Sequence, residues 1–320
     1  CNDNFTEIYG GTTSALGFKA EGTNFTGSLL IGHATTGTIS SANYNTALGI
    51  LALNALTTGD NNLAVGYNAG TDITEGSSNV LVGKGSGVSL TTGSKNVAIG
   101  TDTLQTEDTG NFNIAIGFET LKNLNYDGNA YNVAVGYQAG KEVTTGVRNI
   151  LVGGFAGGSL TTGVHNVAMG YSALATEDTG SRNTALGYQA LKNLNIDSSA
   201  YNVAVGHHAG LSVTTGTKNT LVGGLAGDAI TTGEYNVALG QNALSAEDTG
   251  SRNIAIGFEA LRDLNYDGSA YNVAIGWQAG LSVTTGTRNT LIGGLTGDAL
   301  TSGYYNTALG YQALSGSVSG

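Results

Sequence analysis

Residues Asn166–Arg182 read NVAMGYSALATEDTGSR, and Asn183 starts the same pattern again with NTALG. The motif Asn-x-(Ala/Leu)-x-Gly recurs sixteen times in the 320-residue chain, with twelve of the fifteen spacings equal to 17 residues and three equal to 19. Four units therefore form a super-repeat of 70 residues. Repeats of this length are typical of solenoids, in which each unit packs only against its neighbours. The anchoring residues are Asn45, Asn62, Asn79, Asn96, Asn113, Asn132, Asn149, Asn166, Asn183, Asn202, Asn219, Asn236, Asn253, Asn272, Asn289 and Asn306.

The five-residue motif predicts a β-strand, because it is too short for a helix and a glycine interrupts it in every unit. Positions are counted here from the asparagine of each unit, which is position 0. Position 3 is always a large aliphatic residue or methionine, position 2 is alanine or leucine, and position 4 is glycine. We therefore expect the position-3 residues, such as Val135, Val152, Met169 and Leu186, to form the core. The small residues at positions 2 and 4 should allow close approach of the backbone.

Stacking the units in register predicts an all-β parallel β-solenoid, with one unit in each layer of about 4.8 Å. A glycine at position 14 marks a turn in every 17-residue unit. Residues 1–44 contain two degenerate units, which end in Leu16-Gly17 and Ile31-Gly32, and residues 45–320 form the regular array. The total is about eighteen units. Each asparagine is expected to hydrogen-bond to the asparagines above and below it.

The composition excludes several classes of protein. The chain has 52 glycines but no proline, and 40% of its residues are hydrophobic, which does not fit collagen, a flexible linker or a disordered segment. A net charge of -11 gives no basic footprint for nucleic acid. The charge therefore gives no reason to expect nucleic acid as a partner. No window approaches the 18 apolar residues of a membrane span, so no membrane span is expected.

Two segments carry a family resemblance. Asn183–Leu191 and Asn306–Leu314 both read NTALGYQAL, which resembles the repeats of bacteriophage tail fibres. Asn96–Gly100 and Asn272–Gly276 read NVAIG, which is similar to the head repeats of trimeric autotransporter adhesins, although the adhesin unit is usually shorter. The resemblance covers nearly the whole chain. It implies a homotrimeric, surface-binding fibre, located on the virion or outside the cell.

The resemblance also implies partners: a second and third copy of the chain, other virion tail proteins, and a host cell-surface glycan or protein receptor. Gly320 falls in mid-unit, where the turn glycine after Asn306 belongs, so we expect the chain to be part of a longer fibre.

No catalytic or cofactor-binding constellation is expected. His207 and His208 occupy positions that hold Tyr-Gln or Trp-Gln in sister units, which indicates a surface substitution rather than a metal site. The residue before each asparagine is often basic or aromatic, and a second aromatic column lies at position 5. These columns either stabilise the stack and the trimer or bind glycans along the rod. The candidate surface-contact residues are Arg148, Arg182, Arg252, Arg288, Tyr201, Tyr271 and Trp277.

Acidic residues recur with the super-repeat. Glu107-Asp108 and its counterparts precede the 19-residue units, whose two-residue insertions carry Asp127, Asp197 and Asp267. We expect these three aspartates on solvent-facing loops, separated by four layers. A solvated acidic ridge is one interpretation, and a calcium site built from adjacent carboxylates is the other.

The leading functional interpretation is a non-catalytic structural and adhesive shaft of a phage tail fibre, involved in host attachment. One alternative is a bacterial surface adhesin or lipoprotein, in which Cys1 is the lipidated terminus. Another is an ice-binding β-solenoid, because threonine occupies position 13 in ten of the twelve 17-residue units.

Overall fold

The computed structural model describes residues 18–22, 25–31 and 40–316, and these contain only strands, turns and irregular segments. Cys1, Leu16-Gly17, Gly32 and Gly320 lie outside the described residues. The strands are β1 (Phe18–Gly22), β2 (Phe25–Ile31), β3 (Thr46–Leu48), β4 (Leu63–Val65), β5 (Val80–Val82), β6 (Val97–Ile99), β7 (Ile114–Ile116), β8 (Val133–Val135), β9 (Ile150–Val152), β10 (Val167–Met169), β11 (Thr184–Leu186), β12 (Val203–Val205), β13 (Thr220–Val222), β14 (Val237–Leu239), β15 (Ile254–Ile256), β16 (Val273–Ile275), β17 (Thr290–Ile292) and β18 (Thr307–Leu309).

The predicted parallel β-solenoid is confirmed. Strands β2 to β18 pair in chain order as one parallel sheet, while β1 pairs antiparallel with β2. The register joins equivalent residues of successive units: Val203 faces Thr220, for example, and Ala204 faces Leu221. The 19-residue spacings keep the same register, since Ile114 faces Val133. One repeat unit is therefore one layer.

The prediction of which column forms the core is wrong. The middle residue of each strand from β3 to β18 is buried, whereas the residues at positions 1 and 3 are partly or fully exposed. Met169 is 43% exposed, and Val135, Val152 and Leu186 are only partly buried. Alternation along a strand places the asparagine, position 2 and position 4 on one side, and that side faces inward. A layer of 17 residues encloses so little space that position 2 is alanine in most layers, and it is leucine only in four layers that have glycine at position 8.

The core volume comes mainly from leucines in the turn region. Positions 8 and 11 supply fully buried side chains such as Leu53 and Leu56. Layers with glycine at position 8 lie beside a leucine at position 2: a Cβ atom on Gly70 would stand 2.6 Å from Leu81 Cδ1, and one on Gly87 would stand 2.9 Å from Leu81 Cδ2. A single leucine therefore fills two layers, and this exchange of volume accounts for the four-unit super-repeat.

The asparagines form a buried ladder, which confirms the expected contacts between layers. Asn202 Nδ2 donates to the Gly216 carbonyl at 2.8 Å, and its Oδ1 accepts from the Asn219 backbone N–H at 2.9 Å. In other layers the amide also donates to the preceding asparagine, as Asn62 Nδ2 does to Asn45 Oδ1 at 3.0 Å. The side chain thus satisfies a backbone carbonyl in its own layer and an N–H in the next.

Candidate functional site

The outer side of the parallel sheet is an extended apolar surface, here called the sheet face. It consists of the residues at positions 1 and 3 in the sixteen regular units. Of these 32 residues, 27 are aliphatic or methionine, five are threonine, and none is charged. All 32 are partly or fully exposed in the single chain. Ile150 and Ile292 illustrate this, with 40% and 36% exposure.

The residues before the asparagines form one edge of the sheet face, here called the cationic ladder. All the predicted surface-contact residues of this column are exposed, as expected. From Lys95 onward its members are Lys95, Phe112, Tyr131, Arg148, His165, Arg182, Tyr201, Lys218, Tyr235, Arg252, Tyr271, Arg288 and Tyr305.

Cations and rings of successive layers stack on one another along this ladder. The Arg252 guanidinium lies 5.3 Å from the Tyr235 ring centre and 5.6 Å from that of Tyr271. Lys218 Nζ donates to Tyr235 Oη at 2.6 Å, and this hydrogen bond raises the pKa of Lys218. Such exposed cation–π contacts contribute about 0.5 to 1 kcal/mol each.

A second row of rings, the aromatic ladder, follows positions 5 and 6 on the far side of the sheet face. Its continuous part runs through Phe118, Tyr137, Phe155, Tyr171, Tyr188 and His207, with ring centres 5.2 to 5.8 Å apart. Trp277 lies in the same column and is 51% exposed. Phe155 was missed by the sequence analysis because it occupies position 6, where most units carry a polar residue.

A shallow cleft of about 380 Å³ adjoins the aromatic ladder. Phe155 supplies an apolar wall, while Gln138, Lys141 and Ser159 supply polar groups. Nearby, hydrogen bonds from Lys122, Gln138 and Lys141 lower the pKa of Glu119 to about 2. The cleft can accommodate a small molecule with one apolar and one polar face.

The inserted loops lie where the sequence placed them. Asp127, Asp197 and Asp267 are exposed and lie after β7, β11 and β15, so four layers separate each from the next. Asp127 Oδ1 accepts from Thr109 Oγ1 at 2.8 Å. After each loop the chain resumes parallel pairing with the preceding layer, as Asn129 does with Asn111.

The glutamate of each acidic pair, however, contradicts the solvated ridge. Glu107, Glu177 and Glu247 are completely buried, at a position that holds leucine, isoleucine or valine in the other described layers. Glu107 Oε1 accepts from the Gly110 N–H at 2.6 Å, and Oε2 accepts from the Tyr126 N–H at 3.2 Å. Burial raises the pKa of all three, that of Glu247 to about 7.

These glutamates repair the hydrogen-bond ladder at the insertions. In five ordinary layers the turn glycine donates to a carbonyl of the next layer, as Gly216 does to Thr231. The insertion displaces that carbonyl and adds the Tyr126 N–H. A carboxylate at position 11 accepts from both. In the part of the chain that the structure describes, no group of three acidic, histidine or cysteine side chains is placed to hold a metal ion.

His207 and His208 lie side by side, with ring centres 3.9 Å apart. His207 stacks on Tyr188, and burial together with its neighbour lowers the pKa of His208. Both rings thereby extend the aromatic ladder.

Seven of the ten threonines at position 13 are exposed, among them Thr145, Thr162 and Thr215, whereas Thr109, Thr179 and Thr249 are partly buried. Tyr126, Ile196 and Tyr266 take their place in the 19-residue layers. Across residues 18–22, 25–31 and 40–316, no helix has the length and apolarity needed to cross a bilayer. No protein-family model matches the sequence, and searches of curated proteins and of solved structures gave no match either.

Proposed function

We propose that this chain is a non-catalytic shaft of a phage tail fibre, which contributes to host attachment and assembles as a homotrimer through its sheet face. The observation that carries the proposal is the uncharged, largely aliphatic surface along all sixteen regular layers. Soluble proteins rarely leave a continuous apolar surface of this size uncovered.

The dimensions of the sheet face match those of a protein interface. Sixteen layers extend about 75 Å, and three residues of strand are about 10 Å wide, which gives roughly 750 Å² per chain. Stable two-chain interfaces typically bury about 800 Å² on each partner, and in a trimer this strip is shared between the two neighbouring chains. The cationic ladder and the aromatic ladder border the sheet face, as a polar rim borders the core of an interface.

A second copy of the chain is the partner that fits this surface best. The apolar residues recur at every layer over the full array, so a partner must be elongated and have the same layer spacing. Another copy meets both requirements. The tail-fibre and adhesin resemblance favours three copies, and rotation about a common axis closes three identical faces on one another.

A matched pair of variants tests the assembly. The wild-type chain is expected to show three times its 32.2 kDa mass in light scattering coupled to size exclusion. Val205→Lys with Val222→Lys places two charges on the sheet face and should give monomers. Thr215→Lys with Thr232→Lys places two charges in the same layers on exposed turns and should leave the trimer intact. A monomeric wild type, or equal effects of the two pairs, contradicts the proposal.

A bacterial surface adhesin or lipoprotein would use the same assembly, so the sequence upstream of Cys1 separates it from a tail fibre. A signal peptide ending at Cys1 favours the lipoprotein, and further repeats favour the fibre. The exposed threonine row keeps ice binding as an alternative. Thermal hysteresis in a solution of the purified chain would support it.

A further inference from the structure

The cationic ladder has a regular alternation of charge over ten layers. Between β9 and β18 a cation occupies every second layer, and an aromatic ring occupies each layer between. The cations are Arg148, Arg182, Lys218, Arg252 and Arg288, and the rings are His165, Tyr201, Tyr235, Tyr271 and Tyr305. At the standard strand spacing the positive charges are about 10 Å apart and span about 38 Å.

The backbone fixes this spacing. Eight of the ten ladder residues donate their N–H to the layer before them, as Arg288 does to the Ala270 carbonyl at 2.7 Å and Tyr235 does to the Thr217 carbonyl at 3.1 Å. Stacking between layers then limits the movement of the side chains, because Arg182, Arg252 and Arg288 each lie over a tyrosine ring. The row of charges is therefore preorganised in the single chain.

The five cations stand outside the ion pairs of the described residues. The chain has 23 acidic and 12 basic residues, yet within the described residues none of the five forms an ion pair. Three cations outside the ladder, Lys122, Lys141 and Arg262, do form ion pairs. The nearby Glu234 accepts from Thr217 Oγ1 at 3.2 Å instead. An acidic protein has thus kept a row of positive charges that form no ion pairs within the described residues.

The local backbone does not favour these residues. The ladder positions have left-handed φ values, 57° at Arg148 and Arg288 and 54° at Tyr271. Asparagine is among the residues best suited to this conformation, and Asn61 occupies the equivalent position of an earlier layer with a φ of 60°. Long basic and aromatic side chains are therefore present for their contacts and not for the turn.

We propose that the cationic ladder binds a linear acidic polysaccharide that lies along the solenoid axis and carries one carboxylate or sulfate group per disaccharide. A sugar ring in an extended polysaccharide is about as long as one layer is high, so charged and uncharged sugars would alternate in step with cations and rings. The guanidinium edges can bind a carboxylate or sulfate in bidentate fashion. The tyrosine hydroxyls can hydrogen-bond to the intervening sugars.

Nucleic acid fits the ladder less well. Phosphates in a duplex strand follow one another every 3.4 Å or so, which leaves roughly one cation for three phosphates. The net charge of -11 would repel so dense an anion. A sparsely charged polysaccharide meets the row of cations with less repulsion from the rest of the surface.

This inference specifies the ligand of the proposed adhesive shaft, and therefore rests on that function, but the ladder is complete within one chain. Binding is measured by isothermal titration calorimetry at low salt, with a hyaluronan oligosaccharide that has as many carboxylates as the ladder has cations. Neutral dextran and a thymidine oligonucleotide with the same number of phosphates are the comparison ligands. Hyaluronan should bind, dextran should not, and the oligonucleotide should bind more weakly.

Two charge-matched variants locate the site. Arg252→Gln with Arg288→Gln should weaken hyaluronan binding roughly fivefold or more and make its salt dependence shallower. Lys84→Gln with Lys192→Gln changes the net charge equally but lies outside the ladder, and should leave the affinity unchanged. Circular dichroism verifies that both variants are folded.

Any other result contradicts a specific part of the proposal. Absence of hyaluronan binding, or equal losses in the two variants, overturns the proposal, and tighter binding of the oligonucleotide overturns the choice of polysaccharide. Light scattering on the same samples separates this question from assembly. A monomer that binds hyaluronan refutes the trimer alone, and a trimer that does not bind refutes the ladder alone.

Discussion

At the scale of single residues, the buried glutamates show how one side chain corrects an irregular layer. Position 11 normally needs a hydrocarbon side chain, because it lies in the core. Where the next layer carries an insertion, the turn glycine has no carbonyl to donate to and the insertion adds a second N–H, and Glu247 accepts from both, Gly250 and Tyr266. An unsatisfied buried N–H costs about 1 to 3 kcal/mol, which is enough to offset much of the desolvation of a carboxyl group.

This arrangement predicts a dependence of stability on pH. Because the pKa of Glu247 is about 7 in the folded chain and near 4.5 in the unfolded chain, the folded state holds its proton more tightly. The favourable contribution is complete below pH 4.5 and is lost as the pH rises through 7. For one glutamate the loss is roughly 2 to 3 kcal/mol. Chemical denaturation between pH 4.5 and 7.5 should show the decline.

A pair of amide variants separates this effect from overall charge. Glu247→Gln should make the pH profile shallower, with the remaining slope due to Glu107 and Glu177, whose pKa values are also raised. Asp267→Asn removes an exposed carboxylate in the next layer and should leave the slope unchanged. An unchanged slope in Glu247→Gln would mean that the glutamate is not the titrating group.

At the scale of the structural element, the glycine at position 4 defines how closely two layers approach. Gly206 has a φ of 142°, and a Cβ atom there would lie 2.4 Å from the Gly223 carbonyl oxygen. Both the conformation and the contact exclude a side chain. This glycine follows each strand and lets the chain turn without increasing the distance to the next layer.

Two glycines in adjacent layers provide a direct test of this role. Gly206→Ala should destabilise the chain by more than about 3 kcal/mol, because the methyl group meets backbone of the next layer. Gly224→Ala should change stability by less than about 1 kcal/mol, since no atom lies within 4 Å of its Cβ position. Thermal unfolding of the two variants gives the comparison, and similar losses would show that the spacing of the layers adapts to a methyl group.

The sequence was sufficient to predict the strands, the one-unit layers and the exposed loops, because all three follow from the 17-residue period and its 19-residue exceptions. It misidentified the core. Alternation shows that Ala204 and Val205 face opposite sides but does not show which side is inside, and hydrophobicity favoured the valine. The closed cross-section reversed that choice, since the interior is filled by residues such as Leu191 and Leu194 from the turns. The partners of Glu177 depend on the next layer and could not be read from one unit.

At the scale of the whole molecule, the solenoid is one-dimensional but not uniform. Every layer contacts only the layers beside it, so stability is approximately a sum of layer and interface contributions. The interfaces differ, however, because a glutamate layer must precede an insertion layer and the leucine at position 2 must lie beside glycines at position 8. The phase of the 70-residue super-repeat is therefore a structural requirement.

A large deletion that keeps this phase should destabilise the chain less than a small deletion that breaks it. Removing residues 166–235 joins His165 to Asn236, takes out four whole layers, and leaves every remaining layer beside a neighbour of its original kind. The rod should shorten by about 19 Å and still unfold cooperatively, with little change in melting temperature. Small-angle scattering measures the length of the rod, and calorimetry measures the melting temperature.

Removing only residues 166–182 is the smaller change and should be the more harmful one. It deletes the Glu177 layer, so Leu160 then lies before the insertion and offers no acceptor to the N–H group of Ile196, which donates to Glu177 in the intact chain. This newly unsatisfied N–H group should lower the local stability by about 1 to 3 kcal/mol. Replacing Leu160 with glutamate in the shortened chain supplies the missing acceptor and should recover most of the loss. If the 17-residue deletion melts like the 70-residue deletion and Leu160→Glu has no effect, the layers are interchangeable and the glutamate–insertion pair does not determine their order.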